Sequence, residues 1–127
     1  MFKFSKKSKI LLNTINVDLK RLAEEVLKIS FYDFGISSGY RTQQEQMRMF
    51  AEKRSFCDGI LKKSKHQNGE AIDIIVYDEN GNITWDKKYF YQVIGVFKSV
   101  AKQLKIKIRC GCDFQNVEDC PHIELEK

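Results

Sequence analysis

The chain has 127 residues and a mass of 14.9 kDa, with 22 Lys+Arg against 17 Asp+Glu, a formal net charge of +5 and a pI near 9.0. The length fits one domain, and 43% hydrophobic and 31% charged residues with one Pro and seven Gly exclude the disordered, collagen-like and low-complexity classes. A chain this size buries roughly two-thirds of its unfolded surface, so its core requires neither disulfides nor a structural metal. The basic balance favours anionic partners such as nucleic acid, a membrane surface or an acidic envelope polymer.

Lys3, Lys6, Lys7 and Lys9 make the N-terminus basic, but the apolar run behind them is only Ile10, Leu11 and Leu12, too short for a secretory core. No stretch has the length to span a bilayer. The expected compartment is therefore a cytosol, in which Cys57, Cys110, Cys112 and Cys120 stay reduced. With no repeat, linker or composition shift, residues 1–127 read as a single domain.

From Leu19, the positions Leu22, Ala23, Val26 and Leu27 follow the spacing of an amphipathic helix, with Asn16 or Asp18 as its cap. Phe34 to Ser38 reads as a short strand. Thr42 and Glu45 form a capping box that opens a helix through Met47 and Phe50, immediately after Arg41. Ala71 to Tyr77, rich in Ile and Val, reads as a buried strand, followed by an Asn80-Gly81 turn and a partner strand from Ile83 to Trp85. Asp86 caps a long helix whose apolar face is Phe90, Val93, Phe97, Val100, Ala101 and Leu104. Lys105 to Arg109 and His122 to Leu125 close the chain as strands. This order predicts an α+β fold, with helices packed on a small, mostly antiparallel sheet.

Only two histidines occur, His66 and His122. His66 lies in a polar loop ahead of the Ile-rich strand, and Asp73 falls within that strand. A carboxylate among Ala71, Ile72, Ile74 and Ile75 is costly to bury unpaired. An ion pair with Arg41 or Arg109 relieves that cost, and so does a metal. His122, at the edge of the last strand, completes a set of two imidazoles and one carboxylate, the three-ligand zinc arrangement that leaves a fourth position open for hydrolysis.

The segment Ser64-Lys65-His66-Gln67-Asn68-Gly69-Glu70-Ala71-Ile72-Asp73 resembles the S-x-H-x-x-G-x-A-x-D motif of the zinc D-alanyl-D-alanine carboxypeptidase and dipeptidase family. That family includes phage endolysins that cut the L-alanyl-D-glutamate bond of peptidoglycan. Asp119-Cys120-Pro121-His122-Ile123-Glu124-Leu125 is similar to its second motif, an acidic residue three before the last histidine followed by a short strand. Ser38-Gly39-Tyr40-Arg41-Thr42 is similar to its G-x-R-T/S segment, so the resemblance covers nearly the whole chain. Asp119 stands where many relatives have Glu, while endolysin members use Asp too, which leans the resemblance toward them. Phe114 stands where many have Trp, and the stretch Asp113 to Glu118 is short beside theirs.

The resemblance implies that His66, Asp73 and His122 bind zinc and that Asp119 is the general base and acid. It implies for Arg41 an oxyanion-holding or substrate-carboxylate role, against the alternative of a structural ion pair. Ser64 steadies the metal loop or touches substrate, with a simple turn hydroxyl as the alternative, and Gly69 permits the bend after His66. The activity implied is that of a phage endolysin cleaving L-alanyl-D-glutamate, with D-alanyl-D-alanine carboxypeptidase or dipeptidase as the alternative. A lysin of this kind accumulates in the host cytoplasm, passes a membrane opened by a holin-type partner, and acts on the cell wall in the periplasm. A monomer without stable membrane insertion is expected.

Two other readings stand beside it. Cys110, Cys112, Cys120 and His122 form C-x-C-x7-C-x-H, a set that could close a structural zinc site but leaves His66 and Asp73 unexplained. Lys62, Lys63 and Lys65 cluster as in a nucleic-acid-binding module, yet no groove-reading or base-stacking motif accompanies them, and no nucleic-acid partner is expected.

Overall fold

The computed structural model describes residues 2–115 and 118–126. Helices form where a capping side chain meets an apolar stripe. Ser5 caps α1 (Lys6–Leu12) by accepting the Ser8 N–H, and Asn16 caps α2 (Val17–Ile29) by accepting that of Asp18. The expected stripe of α2, from Leu19 to Leu27, is buried. The sequence reading places no helix over α1, because its short apolar run turns only Ser8 and Leu12 fully inward and leaves Ile10 exposed.

α3 (Gln43–Ala51) opens on the expected capping box, with the Glu45 N–H 3.1 Å from Thr42 Oγ1 and the Thr42 N–H 3.0 Å from a Glu45 carboxylate oxygen. Its buried position is Gln46, while Met47 and Phe50 are exposed. α4 (Lys87–Leu104), capped by Asp86, buries Phe90, Val93, Phe97, Val100 and Ala101. It ends where Lys105 takes the left-handed conformation and the Ile106 N–H bonds back to the Ala101 carbonyl. Those residues finish the helix, so the strand expected from Lys105 starts later, as β4 (Ile108–Cys110).

The other strands are β1 (Phe34–Ser38), β2 (Ala71–Tyr77), β3 (Ile83–Thr84) and β5 (His122–Leu125). Their order is β1-β2-β5-β4 with β3 also on β2, and every pairing is antiparallel. Phe34, Ile36, Ile72, Ile74, Val76 and Ile123 pack with the apolar faces of α2 and α4 into one core, and the expected α+β architecture is the one observed. Strand side chains alternate between faces, so with Ile72, Ile74 and Ile123 inward, Asp73, His122 and Glu124 face away from the core. Asp73 pairs directly with His122 across β2 and β5, and a register shift between Ile36 and Ser38 sets Ser38 on the other side of Asp73. Chemically active positions from three strands thus share one row. No helix among the described residues is long and apolar enough to cross a membrane.

The cysteines require a correction. A 3-10 turn at Gly111–Asp113 folds back on Asp119, whose N–H donates to the Gly111 carbonyl at 2.8 Å. This brings the Cα atoms of Cys112 and Cys120 to 4.1 Å, and the two are joined by a disulfide, leaving Cys57 and Cys110 as free thiols. The short stretch noted from Asp113 to Glu118 includes Asn116 and Val117, which lie outside the described residues.

Candidate active site

His66 is set by a capped 3-10 turn, Lys65–Asn68. Ser64 Oγ accepts the His66 N–H at 3.2 Å, the Ser64 N–H donates to Gln67 Oε1 at 2.9 Å, and Gly69 ends the turn in the left-handed conformation at φ 68°. Ser64 thus caps the turn that carries His66, and it also lines the same cleft as His66. His66 is buried with Nδ1 2.9 Å from the Gly39 carbonyl oxygen. A carbonyl can only accept, which assigns a proton to Nδ1 and makes Nε2 the nitrogen that faces Asp73 Oδ2 at 3.4 Å.

His122 approaches the same carboxylate from the neighbouring strand, Nδ1 to Asp73 Oδ1 at 3.3 Å, with Nε2 2.8 Å from Glu124 Oε1. Burial pushes the Asp73 pKa up, but hydrogen bonds from His122 and His66 outweigh it and hold the group well below the usual carboxylate range. Burial pulls His122 down, and its bonds to Asp73 and Glu124 bring it up instead to about 9. His66, Asp73 and His122 each present one ligand atom, all within 4.8 Å of one another. Two imidazole nitrogens and one carboxylate oxygen converging at that separation fit a divalent cation, and the donor types are those of hydrolytic zinc sites. The alternative Cys/His cluster does not assemble: the sulfurs of Cys112 and Cys120 are bonded to each other, and both His122 nitrogens face carboxylates.

Arg41 is buried beside this cluster, its backbone N–H on the His66 carbonyl at 3.0 Å. Nη1 donates to Gln46 Oε1 at 2.8 Å, and Nη2 donates to Ser38 Oγ at 3.2 Å and lies 3.8 Å from Asp73 Oδ2. Burial lowers its pKa, against the opposing charge of Asp73. Of the two ion-pair partners considered for Asp73, Arg41 is thus the one in place. Arg109 lies instead 3.9 Å from Glu124, over the Phe114 ring.

Asp119 joins the same site from the segment before β5. Its backbone is fixed at both ends, since its N–H donates to the Gly111 carbonyl at 2.8 Å and its carbonyl accepts the His122 N–H at 3.0 Å, and a Cβ at position 111 would overlap that carbonyl. Burial, then the charge of Asp73, raise the Asp119 pKa, while His122, His66 and Arg41 pull it down. These five groups line one cleft of about 1110 Å³, with Lys62 and Phe114 on its walls. The groups suit hydrolysis: a metal donor set, a carboxylate whose burial favours the protonated form and a buried guanidinium.

Gln46 and Glu124 complete the geometry, and the sequence reading misses both. Gln46 occupies an interior helical position that ordinarily takes an apolar side chain, and its Nε2 donates to Ser55 Oγ at 2.8 Å and the Cys57 carbonyl at 2.7 Å. Its sequence signal is its place one turn after the cap that follows Arg41. Glu124 is two positions after His122, which in a strand means the same face.

A family model described as phage L-alanyl-D-glutamate peptidase matches residues 1–126. The L-alanyl-D-glutamate peptidase of Escherichia phage T5 is 38% identical over 127 residues, covering 99% of this chain and 90% of the relative. Among solved structures, the L-Ala D-Glu endopeptidase ChiX of Serratia marcescens superposes with a TM-score of 0.87 at 25% identity, covering 98% of this chain and 90% of that one. The chain belongs to the phage L-alanyl-D-glutamate peptidase family.

Proposed function

We propose that this chain is a zinc-dependent endopeptidase that hydrolyses the L-alanyl-D-glutamate bond of peptidoglycan stem peptides, in the manner of a phage endolysin. The observation that carries the reading is the convergence of His66, Asp73 and His122 within 4.8 Å in the cleft that Asp119 and Arg41 also line.

His66, Asp73 and His122 would hold the zinc. When bound, zinc would supply Lewis acidity, enough to bring the pKa of water down to about 7. Asp119 takes a proton from the attacking water and returns it to the departing D-glutamate nitrogen, leaving a free L-alanine carboxylate and a free amine. Its raised pKa suits a group that must hold that proton between the two steps. Arg41, fixed by Gln46 and Ser38, presents its guanidinium to the developing oxyanion or to a substrate carboxylate. Ser64 acts through the turn that aims His66. The net charge of +5 assists approach to an anionic envelope. Before release the enzyme resides in the host cytoplasm, and a holin-type partner gives it access to the periplasm.

Purified sacculi provide the test. Chelator-treated protein is expected to leave them intact, and stoichiometric zinc is expected to restore solubilisation. Full activity without any divalent metal would overturn the reading.

A further inference from the structure

We propose that Glu124 is a positioning residue that fixes which nitrogen His122 offers to the metal, an assignment that rests on the zinc-site reading above. His122 and Glu124 share the outward face of β5, and Glu124 is buried with Oε1 2.8 Å from His122 Nε2. An ionised carboxylate only accepts hydrogen bonds. Nε2 must therefore keep its proton, which makes Nδ1, directed at the point where Asp73 and His66 converge, the nitrogen that gives up its own to a metal.

His66 reaches the same point by the opposite choice. Its Nδ1 donates to the Gly39 carbonyl and its Nε2 faces Asp73. The two imidazoles thus present different nitrogens, each selected by the acceptor behind it. The two acceptors are not equivalent, because an anionic partner also raises the basicity of the ligating nitrogen, which a neutral carbonyl does much less. Glu124 is itself steadied from behind. Arg109, its cross-strand partner, lies 3.9 Å away, and Lys65, which donates to the Leu125 carbonyl at 3.0 Å, adds positive charge nearby. A role confined to neutralising Arg109 and Lys65 would leave the His122 ring indifferent to Glu124.

Chelator-competition measurements of zinc affinity separate the two roles, combined with long-range proton–nitrogen NMR spectra of the His122 ring in the zinc-loaded proteins. Wild type is expected to show a ligated Nδ1 and a protonated, slowly exchanging Nε2. Glu124→Ala is expected to lose about 10- to 100-fold in zinc affinity and to show rapid exchange at Nε2. Glu124→Gln still accepts through Oε1, so it keeps Nδ1 ligated and loses less affinity. A folded Glu124→Ala with wild-type zinc affinity, or ligation of His122 through Nε2 in wild type, overturns the assignment. Should Glu124→Ala not fold, Glu124→Gln decides: a several-fold loss with Nδ1 ligated supports it, and unchanged affinity overturns it. A wild-type protein that bound no zinc would remove the proposed function as well, whereas zinc binding insensitive to both Glu124 variants removes this assignment alone.

Discussion

The guanidinium of Arg41 is held by the amide of Gln46, Nη1 to Oε1 at 2.8 Å, and the same amide grips Ser55 and Cys57 on the wall of the cleft. One fully buried polar side chain thus ties the Arg41 head group to α3 and to the loop beyond it. Gln46→Leu keeps roughly the volume but leaves three partners without their bond, at a cost of about 1–3 kcal/mol. Arg41 also loses the contact that orients it, so kcat is expected to fall by up to about 100-fold. Zinc content is expected to stay at the wild-type level. Denaturant midpoints, metal analysis and steady-state kinetics on the same preparations check the three parts together.

Asp119→Asn is expected to bind zinc and fold normally while losing about 10²–10⁴-fold in kcat, the usual worth of a positioned general base and acid. Gly111→Ala is a subtler form of the same experiment. Its new Cβ would overlap the Asp119 carbonyl, and backbone must shift to admit it. The carboxyl moves with that backbone, so a loss of activity approaching 100-fold is expected with none of the three metal ligands substituted. Wild-type kcat in Gly111→Ala would show that the placement of Asp119 is not critical.

Much of this was legible in the residues. Hydrophobic spacing located α2, α4, β1 and β2, and Thr42 with Glu45 marked the start of α3, because each signal is local and repeats the period of its element. α1 escaped notice because it is held mainly by its cap and its contact with β1 rather than by an apolar stripe, and Ser8 bonds the Ile36 N–H at 3.0 Å across the fold. Three motifs brought His66, Asp73, His122, Asp119 and Arg41 into one candidate site, and the fold places all five around one cleft. Gln46 and Glu124 were not legible in that way, since their roles depend on partners from other elements or on ring orientation. The disulfide was missed for a related reason. An expectation based on compartment says nothing of the turn at Gly111 that brings Cys112 to Cys120.

The pKa of His122 makes metal binding depend on pH. In the metal-free protein its folded value is about 9 against an ordinary 6.5, so the folded state holds the proton more tightly than the unfolded one. The resulting stability is fully present below 6.5 and is lost as pH rises through about 9. Zinc must displace that proton from Nδ1 or do without the ligand. Apparent zinc affinity is therefore expected to rise with pH up to about 9 while the metal-free fold weakens over the same interval. Calorimetric titrations in buffers of different ionisation enthalpy should register proton release at neutral pH. Zinc binding without proton release there would contradict the coupling.

The Cys112–Cys120 bond closes a loop with a sequence separation of 8, which in the chain-entropy view stabilises the fold by about 2–3 kcal/mol. The paired variant Cys112→Ser with Cys120→Ser is expected to unfold at correspondingly lower denaturant. Activity is expected to decline more modestly, because backbone bonds from Gly111 and His122 still hold Asp119. Equal denaturation midpoints for oxidised wild type and the double variant would argue against the cross-link.

Mass spectrometry of stem-peptide fragments tests the central claim most directly. Peptidoglycan is incubated with zinc-loaded protein and, in parallel, with chelated protein. The account predicts new fragments ending in a free L-alanine carboxylate, with matching D-glutamate amines, in the zinc-loaded sample alone. Release of terminal D-alanine in their place, or intact stem peptides in both samples, would contradict it.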